Sequence, residues 1–183
     1  CFPVRQFFFN KNWHEKYVRY NKENDSFYFK DKVVKNSKLL KLLKSYNLEK
    51  ILEVSFERNI YFEKKCKFIK RNGGLIFTID YGYKENCTNF TLQAIQNHKY
   101  SNVLEGIGEK DISSHVNFGN FLQIAKNNNL NIDEFSSQGD FLIKYGILER
   151  EKILSKISNP NIIRNGLNKL IDKNKMGNLF KCL

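Results

Sequence analysis

The 183-residue chain contains only two prolines, one methionine and one tryptophan, and no apolar run approaches the ~18 residues that a bilayer-spanning helix needs. A membrane span is therefore not expected. The four cysteines, Cys1, Cys66, Cys87 and Cys182, are scattered with no C-x-x-C pair, and His14, His98 and His115 stand too far apart in sequence to suggest a metal site. Free thiols in a reducing compartment, and no metal, follow. The chain also lacks a G-x-S-x-G turn and a Gly-rich phosphate loop, which argues against serine hydrolase chemistry and against a complete nucleotide site. Its opening has no basic region followed by an apolar core, so nothing there resembles a secretory signal. The triplets Asn86-Cys87-Thr88 and Asn89-Phe90-Thr91 fit the glycosylation pattern, but an Asn-rich chain makes such matches by chance. The absence of an initiating Met reads as an N-terminally incomplete sequence.

Acid is scarce relative to base: 19 Asp and Glu stand against 31 Lys and Arg, a formal net charge of +12. Such a balance suits a nucleic acid, an anionic membrane surface or an acidic partner. The lysines are spread along the chain, as at Lys30, Lys32, Lys35, Lys38, Lys41 and Lys44, so a solvated basic face is the simpler reading. At 41% hydrophobic and 14% aromatic content the chain has enough apolar mass for one folded domain.

What is present is organised around Gly73-Gly74-Leu75-Ile76-Phe77-Thr78-Ile79-Asp80-Tyr81-Gly82-Tyr83. A glycine pair, an apolar run and then an acid with Tyr-Gly-Tyr predict a strand buried on both faces, central in an α/β sheet, that delivers polar residues at its C-terminal end. Upstream, Val4 to Phe9, Trp13 to Tyr20 and Ser26 to Lys30 read as an antiparallel meander with Asn/Asp turns. Ser37 is a candidate cap for a helix over Lys38 to Tyr46. The segment Leu48 to Phe56 is extended around Ile51-Leu52-Glu53-Val54-Ser55 and leads into a helix from Glu57 to Arg71, with Ile60, Tyr61, Lys64, Phe68 and Ile69 as its stripe.

Residues 84–108 read as a long irregular loop with one helical turn at Thr91-Leu92-Gln93-Ala94-Ile95. Asn117 is placed to cap a helix over Phe118 to Asn128, with Phe118, Phe121, Leu122 and Ala125 on its core face. A short strand over Ile132 to Ser137, helices over Phe141 to Ile157 and Ile162 to Asp172, and a closing strand over Leu179 to Leu183 complete the reading. Asp80 is the foremost chemical candidate, because an acid at the end of a buried strand is costly unless it is paired or opens onto a cleft. Its competing role is to cap the turn that follows it. Asp111, with Ser113 and Ser114, holds either a loop or a site.

Ordered short stretches over nearly the whole chain resemble the MidA-like methyltransferase family. They are Phe2-Pro3-Val4-Arg5-Gln6-Phe7, Trp13-His14-Glu15 with Val18, Glu53-Val54-Ser55, Gly73-Gly74 through Asp80-Tyr81-Gly82-Tyr83, Thr91-Leu92-Gln93-Ala94, His98-Lys99-Tyr100, and Asp111-Ile112-Ser113-Ser114-His115-Val116-Asn117-Phe118. Further along they are Gln138-Gly139 with Phe141-Leu142, Gly146-Ile147 with Arg150, and Met176-Gly177 with Phe180-Lys181.

The resemblance implies the C-terminal half of a Rossmann-like class I methyltransferase sheet, with an inserted antiparallel β-meander and helix over about residues 10–56 of a single α/β domain. It implies S-adenosylmethionine as cofactor, held mostly by an upstream half that includes the Gly-rich loop, with Pro3 as the one cofactor-side residue present here. A protein substrate is implied, arginine-directed and linked to respiratory complex I assembly, in a bacterial cytoplasm or, in a eukaryote, the mitochondrial matrix. Asp80 and Asp111 are then the expected catalytic acids, with Tyr81, Tyr83, His98 and His115 binding substrate. Phe56 replaces a usual Pro after Glu-(Ile/Val)-Ser, and Asn117 replaces a common Asp, keeping the cap and losing the charge. A non-catalytic assembly module and a basic nucleic-acid-binding domain are the competing functions.

Overall fold

Aromatic and β-branched runs set the first strands, and Asn/Asp turns separate them. In a computed structural model describing residues 2–46, 50–85 and 89–183, the elements run β1 (Arg5–Asn10), β2 (Asn12–Asn21), β3 (Ser26–Val33), α1 (Ser37–Ser45), β4 (Ile51–Val54) and α2 (Phe56–Asn72). Next come β5 (Ile79–Tyr83), β6 (Gln93–Gln96), β7 (Lys99–Ser101), β8 (Asp111–Ser113), β9 (Val116–Asn117) and α3 (Phe118–Asn127). The chain finishes with β10 (Ser136–Ser137), α4 (Gln138–Lys144), α5 (Ile147–Leu154), α6 (Pro160–Ile171), α7 (Met176–Leu179) and β11 (Phe180–Cys182). They fall into two units, Cys1–Ile60 with Asn86–His115 and Tyr61–Glu85 with Val116–Leu183. Among the described residues no helix is long and apolar enough to cross a membrane. Cys1, Leu48, Cys87 and the triplet Asn86-Cys87-Thr88 lie outside the described residues.

In the first unit the expected meander is present as an antiparallel sheet of order β3-β2-β1-β4. The inward phase of β1, β2 and β4 buries Phe7, Trp13, Leu52 and Val54 with Leu43 of α1. Burying a side chain such as Phe7, fully removed from solvent, contributes roughly 1.5–3 kcal/mol. α1 is capped by Asn36, whose Oδ1 accepts from the Leu39 N–H at 2.9 Å, one residue ahead of the expected Ser37. A three-stranded sheet of order β7-β6-β8 occupies the stretch expected to be irregular, so the proposed helical turn at residues 91–95 is not formed. The reason is the turn: Asn97 and His98 both take positive φ, 50° and 60°, and join β6 to β7 as a two-residue hairpin.

The second unit contains a sheet of order β10-β11-β5-β9, antiparallel except where β5 meets β9. Its core joins Phe62 and Cys66 of α2 to Val116, Phe118, Phe121 and Ala125, with the Phe62 and Phe121 rings stacked at 3.9 Å. Of the expected core face of α3, Phe118, Phe121 and Ala125 are in this core, while Ile124 rather than Leu122 packs against it; the helix is capped by Asn117 Oδ1, which accepts from the Asn120 N–H at 3.1 Å. The stripe expected on α2 is not its buried face: Ile60, Tyr61, Lys64 and Phe68 are exposed, and Phe62 and Cys66 turn inward instead.

The strand expected to be buried on both faces is not. Its regular part begins only at Ile79, and Leu75, Phe77 and Ile79 are 74, 52 and 42% exposed. β5 pairs with β11 along Ile79, Asp80 and Tyr81, and Thr78 exchanges backbone hydrogen bonds with Leu183. On its other side the ladder with β9 runs through Gly82 and Tyr83, so residues 75–80 have an open edge among the described residues. The faces of a strand are buried by layers packed above and below its sheet, and the exposed Leu75, Phe77 and Ile79 lack that cover among the described residues. The expected strand at residues 132–137 likewise shortens to β10.

Candidate functional site

The chemistry-bearing residues of the first unit converge on one buried carboxylate. Glu53, 6% exposed between Leu52 and Val54, accepts from Gln6 Nε2 at 2.8 Å and from the backbone N–H groups of Thr91 and Leu92 at 3.2 Å each. The Thr91 hydroxyl donates to the second Glu53 oxygen. Thr91 Oγ1 in turn accepts from the His115 N–H at 2.8 Å, and the Arg58 guanidinium donates to the His115 carbonyl at 3.3 Å. Ser55, also buried, accepts from the Arg58 N–H at 3.3 Å and so anchors the start of α2. The sequence Glu53-Val54-Ser55 therefore clamps residues 91–92 with its acid, reaches His115 only through Thr91, and caps a helix with its hydroxyl. A buried acid engaged in this way is stabilised by charge-assisted bonds on both oxygens.

A second acid on the strands is consumed in the same manner. Glu15 is held by Arg5 through Nε at 2.6 Å and Nη2 at 2.8 Å, and by the Tyr17 hydroxyl at 2.7 Å. Burial pushes the Glu15 carboxyl up, but the Arg5 and Tyr17 hydrogen bonds and the Arg5 charge outweigh it and leave the group below its ordinary value.

The predicted site residues fall in both units. Asp80, Tyr81 and Tyr83 lie on β5, where Asp80 is exposed and its Oδ1 accepts from the Tyr81 N–H at 2.8 Å. Tyr81 packs on Phe180 with ring centroids 4.1 Å apart. Gly82 between the tyrosines has no room for a side chain, since a Cβ would stand 2.5 Å from the Val116 carbonyl and 2.6 Å from the Phe118 ring. In the first unit, Asp111 is exposed on β8, His98 occupies the β6–β7 turn, His115 joins the Glu53 network through its backbone, and Pro3 is exposed ahead of β1. The structure thus groups Asp80 with Tyr81 and Tyr83, and links His115 to Glu53, which sequence reasoning quoted as a motif without assigning it a role. The signal was available: an acid inside the apolar run Ile51-Leu52-Glu53-Val54.

Residues 1–136 match the sequence model of a family described as "Putative S-adenosyl-L-methionine-dependent methyltransferase". The chain belongs to this family. It is similar to the protein arginine methyltransferase NDUFAF7, mitochondrial, of Danio rerio, at 27% identity over 133 residues, 71% of this chain and 31% of that protein. The Drosophila melanogaster homologue is 32% identical over 136 residues, 72% of this chain and 31% of that one. In fold it resembles a COG1565 superfamily member of Burkholderia thailandensis solved with S-adenosyl-homocysteine, with a TM-score of 0.82 at 22% identity, over 98% of this chain and 49% of that one. The chain spans about a third of the length of these curated relatives and about half that of the solved structure.

The family's cofactor is S-adenosylmethionine, yet the strand-to-helix junctions described here form no cradle for it. At β4–α2 the Ser55 hydroxyl is spent on the Arg58 N–H, and no glycine opens the turn. Gly119, after β9, is filled by the Lys84 carbonyl, and Gly139, after β10, by the Ile171 carbonyl and Gly177. Each close-approach glycine at these junctions thus faces the chain's own backbone.

Proposed function

We propose that this chain is the C-terminal portion of a single-domain, S-adenosylmethionine-dependent protein methyltransferase, arginine-directed and linked to respiratory complex I assembly, with the meander and α1 as an insertion over about residues 10–56. The reading places it in a bacterial cytoplasm or a mitochondrial matrix. The observation that carries it is the open edge at residues 75–80 with its exposed Leu75, Phe77 and Ile79, in a chain that fits half of a methyltransferase-like structure twice its length. An apolar, unpaired edge is what a parallel sheet leaves when its neighbouring strand is supplied from elsewhere. The cofactor would be held mostly by that other half.

Methyl transfer to arginine needs orientation more than acid–base power, and a guanidinium offers only donors. Carboxylates must therefore hold it. Asp80, exposed and with one oxygen taken up by the Tyr81 N–H, and Asp111, exposed on β8, fit that role better than the enclosed Glu53. Tyr81 and Tyr83, in the unit of Asp80, and His98 and His115, in the unit of Asp111, would be the substrate-binding residues.

In the complete enzyme, transfer of tritiated methyl groups to protein arginine is expected to fall when Asp80 is changed to Asn. Unchanged transfer would remove Asp80 from the site. Calorimetry of residues 1–183 alone should detect no micromolar binding of S-adenosylmethionine, and such binding would overturn the division of labour between the halves.

A further inference from the structure

We propose that a lysine-lined cavity at the C-terminal end of β5 binds an acidic segment, rich in Asp and Glu side chains, of the protein on which the enzyme acts. That the segment belongs to a substrate rests on the function proposed above; that the cavity takes carboxylates does not. The cavity, ≈ 620 Å³, is bordered by Gly82 and Tyr83 and, among the described residues, receives Lys84, Lys173, Lys175 and Lys181 against a single acid, Glu85. It lies beyond the carboxyl end of a strand that has a parallel neighbour, where ligands of α/β sheets are received.

Much of this charge is not neutralised internally. Lys175 Nζ stands 3.6 Å from Asp172, and Lys181 is bound by the carbonyl and side-chain oxygens of Asn178. Among the described residues, Lys84 and Lys173 have no carboxylate within 4.0 Å; Lys84 Nζ lies 5.7 Å over the Phe135 ring. Burial pushes the Lys181 ammonium below its ordinary value despite the opposing effect of Asp140, and an anion in the cavity would favour its charged form.

The chemistry of the lining selects among anions and against cations. Four ammonium groups repel a guanidinium, so the target arginine itself is excluded from this cavity. Nucleic-acid grooves combine backbone charge with stacking platforms, often with planar arginines, whereas among the described residues this lining holds no arginine and Tyr83 is its only ring. Lysines act as separate point charges, and with the amides of Asn174 and Asn178 they suit several carboxylates at variable spacing.

Binding of a fluorescein-labelled oligoglutamate peptide to residues 1–183, followed by anisotropy at low ionic strength, tests this. The exposed pair Lys84→Glu with Lys173→Glu should weaken binding about 10-fold. Lys84→Arg with Lys173→Arg should retain it. The control pair Lys38→Glu with Lys41→Glu, on α1 in the other unit, should change it by less than about 2-fold. Absence of peptide binding, or an equal loss from the α1 pair, overturns the proposal. So does tighter binding of a single-stranded oligonucleotide or of phosphatidylserine vesicles that the same Lys84 and Lys173 reversals abolish. The assay needs no cofactor, so failure of methyl transfer would refute the proposed activity without touching this result.

Discussion

Glu53→Ala is the substitution that most directly tests how the first unit holds its chemistry-bearing segments. It removes an acceptor for Gln6 Nε2, the Thr91 and Leu92 N–H groups and the Thr91 hydroxyl at a site that is 6% exposed. Each buried donor left unpaired costs about 1–3 kcal/mol, although relaxation and water rescue some of them. A net loss of ~3–5 kcal/mol is expected, a large part of the ~5–15 kcal/mol that stabilises an ordinary domain. Glu53→Gln separates shape from charge. Its oxygen can still accept from the three N–H donors, but its NH₂ must point at Thr91 Oγ1, which already accepts from the His115 N–H. A smaller loss, ~1–2 kcal/mol, follows. Trp13 is the chain's only tryptophan and shares a cluster with Leu52 and Val54, so its fluorescence during urea unfolding reports on this region. Amide exchange at Thr91, Leu92 and His115 should accelerate in both variants. A loss below 1 kcal/mol for Glu53→Ala, with unchanged exchange at Thr91 and Leu92, would refute the clamp.

Three further outcomes are expected. Gly82→Ala must displace the Val116 carbonyl or the Phe118 ring, and a loss of ~2–4 kcal/mol in thermal or urea unfolding is expected, with no measurable loss counting against the packing described. Because the Glu15 carboxyl is held below its ordinary value, its stabilising contribution is present above 4.5 and disappears as pH falls through the lower folded-state value; Glu15→Gln should flatten that acid limb in a series of urea midpoints, and an unchanged limb would exclude it. Its donor Tyr17 is raised, chiefly by its hydrogen bond to Glu15, so the Tyr17 contribution is present below pH 10.0 and is lost as pH rises through the higher folded-state value; Tyr17→Phe should remove that alkaline loss.

How far the sequence could be read depended on whether neighbouring residues decide a structure. The meander, α3 with its Asn117 cap and the closing strand at Phe180–Cys182 are set by local aromatic periodicity and side-chain oxygens, and all are present. The β6–β7 hairpin was hidden because Asn97-His98 is a poor signal for a turn that needs two positive φ values. Leu75 to Ile79 misled for the opposite reason, since apolar composition announces a strand covered on both faces but cannot say whether covering layers pack on it, and Leu75, Phe77 and Ile79 are exposed. For the site, the rule that an acid in an apolar strand must be paired or functional pointed to Asp80, yet its buried, fully engaged instance is Glu53. Its partners Thr91 and Leu92 lie 38 and 39 residues away, beyond any local pattern.

The acids therefore separate by what their oxygens are doing. Glu15 and Glu53 fix backbone and side chains inside the first unit, which leaves them little capacity for a ligand. Asp80 has the opposite character: exposed, and engaged through Oδ1 with its own turn. Lys181, directly across from Asp80 on β11, also lines the lysine cavity. Residues directly opposite across two strands stand about 4.5–5.5 Å apart at Cβ, so a carboxylate suited to a guanidinium adjoins ammoniums suited to carboxylates. A substrate served by both would carry an arginine with acidic residues about two to four positions away on one side. Methylation by the complete enzyme of peptides differing only in the sign of those flanking charges would reveal this, and equal rates for acidic and basic flanks would show that the lysines do not choose the substrate.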